Sequence, residues 1–235
     1  MTLNPETTVG ELVVEQPNRS RLFEELRIDY CCGGRKPLRQ VCEEKGLALE
    51  DVLARLEQLP TESQQSSHST VAELTLGALI DHIVDEHHAY LRRELPRLDG
   101  MIRKVARVHG EKDHRLVTLP VVFAALIAEL GDHLAKEERI LFPAIRRLES
   151  GDPEDTCFAS VGQPIQVMLA EHDSAGHTVE EMRRLTEGFN PPTWACNTYR
   201  AMLDGLRELE ADLHQHIHEE NNILFPRALE REQTV

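Results

Sequence analysis

The sequence predicts an all-α protein, with a small helical N-terminal module followed by an antiparallel four-helix bundle. Three observations carry this reading. Leu, Glu, Ala and Arg are abundant, aromatic residues make up only 4% of the chain, and long β-branched runs are absent. Apolar residues recur three and four positions apart over four long stretches. Those stretches also fall into two halves that repeat one another, which is the mark of paired helical hairpins related by a pseudo-two-fold axis.

The N-terminal module covers residues 1–60. It holds short helical patterns through Val9, Leu12 and Val13, through Leu22, Phe23 and Leu26, and through Val52, Leu53, Leu56 and Leu59. Between them runs Asp29-Tyr30-Cys31-Cys32-Gly33-Gly34, whose paired glycines mark a turn and set two thiols at a helix-to-turn junction. A module of this size buries little core alone, so docking onto the rest of the chain is expected. Residues 61–70, TESQQSSHST, are polar and without periodicity, and read as a linker.

The bundle covers residues 71–235. Its first pattern runs through Leu76, Leu79, Ile80, Ile83, Val84, Leu91 and Leu95, and its second through Val121, Leu126, Leu130, Leu134 and Leu141. The third runs through Ile165, Met168, Leu169, Val179 and Met182, and the fourth through Met202, Leu206, Leu209, Leu213, Ile217 and Leu224. Gly110 to Asp113, Gly151 to Pro153, and Gly188 with Pro191 and Pro192 separate them. Four amphipathic helices with modest loops predict an antiparallel bundle.

Composition narrows the function. A formal charge of −15 gives no general attraction to phosphate backbones, so nucleic acid is not an expected partner. The start of the chain carries Pro5 and Glu6 where a secretory signal would need a basic start and an apolar core. The apolar stretch from Leu116 to Leu130 contains Glu129 and is too short to span a bilayer. Adjacent cysteines rarely close a relaxed disulfide, so Cys31 and Cys32 fit a reducing compartment. The expectation is a cytoplasmic protein without a membrane partner.

The repeat also concentrates the chemistry. His133 to Pro143 reads HLAKEERILFP and His216 to Pro226 reads HIHEENNILFP. Each has a His, a Glu four residues on, and a Leu-Phe-Pro. The preceding helices carry Asp85-Glu86-His87-His88 and Glu171-His172-Asp173. Residues four apart share a helix face, so His133 with Glu137, and His216 with Glu220, point at one spot in the core. His172 sits on the stripe of Ile165, Leu169 and Val179 and joins them. A single HxxxE is ordinarily a helix-face pair, but here it occurs twice at the same offset from the same Leu-Phe-Pro.

Two carboxylates in an apolar core need compensating charge, which metal cations supply. Imidazole and carboxylate donors without thiolate suit iron, whereas structural zinc prefers four ligands and often thiolates. Pseudo-symmetry favours two ions over one. A carboxylate from each half would bridge both ions and two imidazoles would complete each. With an added oxo or hydroxo bridge, each ion would keep one open position.

The remaining histidines take ordinary readings. His68 is in the linker, His82 falls on the outer face of its helix, and His109 and His114 flank a loop. His177, His214 and His218 lie off the repeat register, and Glu138 and Glu219 are neighbours of the candidate ligands. The fourth imidazole is contested. A helical wheel through Ile80, Ile83, Val84, Leu91 and Leu95, and the match of Glu86-His87 to Glu171-His172, both favour His87.

With these motifs assembled, the chain resembles the repair-of-iron-centres family, of the ScdA/YtfE type. The resemblance rests on Asp29-Tyr30-Cys31-Cys32-Gly33-Gly34, the two HxxxE…LFP copies, Glu220-Asn221-Asn222 and Leu224-Phe225-Pro226-Arg227, and it extends over nearly the whole chain. It implies a hemerythrin-like di-iron bundle behind a small cysteine-containing domain. The activity it implies is repair of iron–sulfur clusters damaged by nitric oxide or peroxide. It carries His133, Glu137, His172, His216 and Glu220 over as metal ligands. It also favours His88 over His87, because His88, Arg92, Leu95 and Pro96 have the family's spacing. Cys31 and Cys32 take the family's cysteine positions, for a thiol role.

The reading that follows is a protein holding two non-haem irons and donating iron to iron–sulfur client proteins. The alternatives are a protein binding nitric oxide or dioxygen, or an enzyme reducing nitric oxide, at the same ligands. Whether it is an enzyme, and whether it forms a homodimer, stay open.

Overall fold

The structure is a computed structural model that describes residues 3–60, 71–151 and 160–234. The predicted linker over 61–70, with His68, lies outside the described residues. Among those residues the regular structure is helical, apart from one isolated bridge between Thr8 and Pro37.

The N-terminal part holds α1 (Val9–Glu15), α2 (Arg19–Glu25), α3 (Leu38–Lys45) and α4 (Leu49–Glu57). Thr8 caps α1 in a capping box: its hydroxyl accepts from the Glu11 backbone N–H, and Glu11 accepts from the Thr8 N–H. Gly46, at φ 66°, ends α3 in the left-handed conformation. Val9, Leu12, Phe23, Tyr30, Leu38, Val52 and Leu56 close a small core of their own.

The first long helix of the bundle is α5 (Leu76–Ile83), continued through a π-helical segment, Val84–His88, into α6 (Ala89–His109). The second is α7 (Arg115–Lys136), the π segment Glu137–Leu141, and α8 (Phe142–Ser150). The third is α9 (Gly162–Leu185). The fourth is α10 (Asn197–Glu219), the π segment Glu220–Leu224, and α11 (Phe225–Glu232). α7 packs against α9 and α6, and α6 against α10.

The Leu-Phe-Pro motifs account for two of the π segments. Proline lacks an N–H, and its ring would strike the carbonyl four residues back in a regular α-helix. The Phe142 N–H bonds the Glu137 carbonyl, and the Phe225 N–H bonds the Glu220 carbonyl, each five residues back, so Pro143 and Pro226 follow a widened turn. Leu-Phe-Pro therefore does not stop these helices but shifts their register by one residue, beside the two conspicuous glutamates.

The bundle core is split in two. One apolar cluster includes Leu91, Leu98, Phe123, Leu126, Leu130, Ala175, Leu206 and Leu213. The other includes Leu79, Ile80, Ile83, Leu141, Ile145, Ile165, Met168, Leu224 and Phe225. Along each helix the candidate polar residues fall between the two: His88 between Ile83 and Leu91, His133 and Glu137 between Leu130 and Leu141, His172 between Met168 and Ala175, and His216 and Glu220 between Leu213 and Leu224. A polar slab thus lies between two apolar ones.

Two expectations about the second helix change. Val121 is 71% exposed and is no part of the buried stripe, whose members there are Leu116, Leu119, Phe123 and Leu126. The continuous helix Arg115–Ser150 is also long and apolar enough to cross a membrane by length and composition, further than the stretch from Leu116 to Leu130 suggested. In this fold Leu116, Leu119, Phe123, Leu126, Leu130 and Leu134 form bundle core, Val117, Val121 and Ile140 are exposed, and the buried face carries His133 and Glu137.

Candidate metal centre

His88, His133, Glu137, His172, His216 and Glu220 converge in the polar slab, and all are buried. Glu137 turns its two oxygens to different imidazoles: Oε2 lies 3.4 Å from His88 Nε2 and Oε1 3.3 Å from His133 Nε2. Glu220 repeats the arrangement in the other half, with Oε1 3.2 Å from His216 Nε2 and Oε2 3.1 Å from His172 Nε2. Across the halves, His88 Nε2 is 3.3 Å from His216 Nε2, and His172 Nε2 is 3.1 Å from His133 Nε2.

These contacts define two adjacent positions, one among His88, His216, Glu137 and Glu220, and one among His133, His172, Glu137 and Glu220. Each draws one imidazole from each half of the repeat. Each carboxylate reaches both.

The donors fit metal better than they fit one another. All four carboxylate oxygens of Glu137 and Glu220 are buried without a hydrogen-bond partner, and both residues are 0% exposed. Burying such groups unpaired costs several kcal/mol each by the usual scale. Ligand atoms about 3.0–3.4 Å apart are what bonds of about 2.1 Å to one ion produce. Without metal the charges lean on each other. Burial pushes the Glu220 carboxyl up, but His216 and His172 hold it well below its ordinary range. Burial pulls His133 down, but Glu137, Glu220 and Glu171 together outweigh it and raise the imidazole to about 9.

The outer nitrogens are braced. Glu138 Oε1 accepts from His88 Nδ1 at 2.6 Å and is held in turn by Arg92. Asn221 Oδ1 accepts from His172 Nδ1 at 2.8 Å. Glu138 and Asn221 are equivalent positions in the two repeats and brace the equivalent histidine. Glu171 Oε2 accepts from His133 Nδ1 at 2.9 Å and is paired with Lys136. Such outer contacts fix ring orientation and leave Nε2 free to ligate.

His87 does not enter this group. Its Nδ1 meets Asp212 Oδ1 at 2.9 Å, and its ring stacks on His216 with centroids 5.3 Å apart. The π segment Val84–His88 explains why a wheel drawn at a constant 100° per residue favours His87: the extra residue brings His88 to the core.

Cys31 and Cys32 lie elsewhere, in a loop organised by Asp29, whose carboxylate accepts from the backbone N–H of Cys31, Cys32 and Gly33 at 2.9–3.0 Å. Their sulfurs are 4.0 Å apart and free. The contact with Cys32, and then burial, push the Cys31 thiol up. The loop is docked on the bundle. Asn222 Nδ2 donates to the Tyr30 carbonyl at 3.2 Å and to the Cys31 carbonyl at 3.3 Å, and Asn221 Nδ2 to the latter at 3.4 Å.

His218 reaches the Tyr30 carbonyl and its ring meets the Tyr30 ring edge-on. The off-register reading of His218 missed this docking role. The one available signal was that Asn221 and Asn222 replace Glu138 and Arg139 of the other repeat copy. His82 also departs from expectation: it is partly buried and faces Glu219.

A cavity of about 220 Å³ reaches the slab from between α7, α9 and α10, lined by Leu130, His133, His172, Ala175, Leu213, His216 and Ile217 among others. A neighbouring cleft of about 370 Å³ holds Cys31 and Cys32 and shares Ala175, Leu213 and Ile217 with it.

Comparison with known proteins gives concordant matches. The Hemerythrin HHE cation binding domain matches residues 79–228, and the Domain of Unknown function (DUF542) matches residues 5–60. The chain is 41% identical to the iron-sulfur cluster repair protein YtfE of Pectobacterium atrosepticum, over 96% of this chain and 97% of that protein. It is 39% identical to the protein of the same name from Yersinia pseudotuberculosis, with the same coverage.

Proposed function

The chain belongs to the iron–sulfur cluster repair family with a hemerythrin-like domain, and on that premise we propose that it carries two irons and delivers iron to client proteins whose clusters have been damaged. The ligands in this proposal are His88, His133, Glu137, His172, His216 and Glu220. The observation that carries it is the pair of fully buried carboxylates, each spanning two imidazole sites and satisfied by no protein donor. Iron held by these residues would supply redox chemistry and a place to bind nitric oxide or dioxygen.

The protein's own groups do the rest. Glu137 and Glu220 would each be shared between the two positions, and the braces from Glu138, Glu171 and Asn221 hold three of the rings in register. The apolar clusters on either side leave the six side chains buried. Nitrogen and oxygen donors without thiolate hold ferrous iron less firmly than a sulfur cage does, which suits a cargo that must leave. Cys31 and Cys32, in a cleft next to the slab's cavity, are proposed to accept iron or carry electrons on its way out. The free cysteines support work in a reducing compartment such as the cytoplasm.

A second reading, capture or reduction of nitric oxide at the same ligands, is favoured by the largely apolar cavity that reaches three of the histidines. Loading the protein with isotopically labelled iron and incubating it anaerobically with a nitric-oxide-damaged cluster enzyme separates the two. Label in the rebuilt cluster is the expected result. Turnover of nitric oxide with a supplied reductant and no label transfer would favour the second reading.

A further inference from the structure

Beside the six-residue centre lies a second set of donors that the proposed function does not use. His82 Nε2 is 3.4 Å and His87 Nε2 is 3.5 Å from the same Glu219 oxygen, Oε2. The three donor atoms lie within 4.8 Å of one another. His87 and Glu219 are buried, and neither His87 Nε2 nor Glu219 Oε2 has a hydrogen-bond partner. Asp212 accepts from His87 Nδ1, which orients the ring and leaves Nε2 facing Glu219.

We propose that His82, His87 and Glu219 form a separate mononuclear site for a divalent transition metal of the ferrous iron and zinc class. Two imidazoles and one carboxylate are a donor set that both ions accept. Separations of 3.4 and 3.5 Å to Glu219 are close to the roughly 3.3–3.4 Å that ligands of one tetrahedral ion keep at bond lengths near 2.0–2.1 Å.

The repeat sharpens the argument. The positions equivalent to Glu219 and His87 in the other half are Lys136 and Glu171, which pair directly. There a lysine supplies the cation. Here the lysine is replaced by Glu219 and the glutamate by His87, so the carboxylate faces imidazole nitrogens and no fixed cation, and His82 adds a third donor. Consecutive residues on a helix point about 100° apart, so His87 and His88 face different sites, as do Glu219 and Glu220 on the facing helix. His82 is partly exposed, so an ion enters from solvent and retains a position for water.

Metal content tests this site independently of repair activity. Protein loaded anaerobically with ferrous iron, and separately with zinc, is desalted and its metal measured, with Mössbauer spectra recorded on the iron-loaded sample. His82→Ala and Glu219→Gln are each expected to bind about one equivalent less than the parent while keeping the spectrum of the iron pair and the parent's far-UV circular dichroism. Should the pair fail to form in every sample, the zinc difference between parent and His82→Ala still decides. Equal metal content in parent and both variants, or loss of the third equivalent only together with the pair, overturns the proposal and leaves these residues as a buried ion network.

Discussion

The imidazole of His172 and the side chain of Asn221 meet at 2.8 Å, and the amide of the same Asn221 donates to the Cys31 carbonyl. One side chain therefore orients a candidate metal ligand and holds the cysteine loop against the bundle. Asn221→Ala is expected to loosen both. Iron should pass to a chelator about 10–100 times faster than from the parent, the cost typical of removing an outer contact from a ligand. Unchanged release kinetics would restrict Asn221 to docking.

Glu137→Ala or Glu220→Ala removes the carboxylate that reaches both metal positions. Each variant is expected to keep its helical circular dichroism but lose the coupled iron pair, with iron content well below the parent's. A variant that retains a coupled pair would assign bridging to the other carboxylate alone.

His88→Ala and His87→Ala should behave differently despite adjacency. His88 Nε2 faces Glu137 and His216, whereas His87 faces Asp212 and Glu219. The His88 variant should lose the pair's spectrum and the His87 variant should keep it. The reverse pattern would return the assignment to the regular helical wheel.

Cys31→Ser with Cys32→Ser should leave the iron spectrum intact and abolish repair of a damaged client cluster. Full repair by that double variant would reduce the cysteines to loop structure. Within the pair, Cys31 is buried and its thiol is shifted upward by Cys32 and by burial, so it stays protonated at neutral pH. Its alkylation, followed by mass spectrometry, should be slow at pH 7 and accelerate as pH rises. Fast labelling of Cys31 at neutral pH would contradict the docked loop.

Gly34 permits the docking. A Cβ there would sit 2.5 Å from Asn222 Oδ1 and 2.6 Å from the Tyr30 carbonyl. Gly34→Ala should destabilise the docked N-terminal helices by about 1–3 kcal/mol, as overpacking does, while the bundle keeps its iron. Proteolysis between residues 61 and 70 with iron retained in the larger fragment would report it. Loss of the iron spectrum would instead make the two parts one cooperative unit.

Most of the fold and of the convergent set was legible because it rests on periodicity and repetition. The two HxxxE…LFP copies single out four residues, and the stripe of Ile165 and Val179 adds His172. Register was not legible from periodicity. Each π segment inserts a residue, so a constant-angle wheel drifts, and only the family resemblance favours His88 over His87. Val121 is apolar, but at the pitch of a regular helix it stands nearly opposite Leu126, Leu130 and Leu134, and the helix turns it to solvent. The braces and the docking contacts were hidden for a different reason. Glu171, Asn222 and His218 act on residues distant in the chain, and such partners carry no local pattern.

The most direct test is Mössbauer spectroscopy, with metal analysis, of protein purified without oxygen and loaded with labelled iron. A magnetically coupled pair accounting for two irons per chain, absent from both Glu137→Ala and Glu220→Ala, is the expected result. A single isolated mononuclear iron in the six-residue centre, or a coupled pair that survives both substitutions, would contradict it.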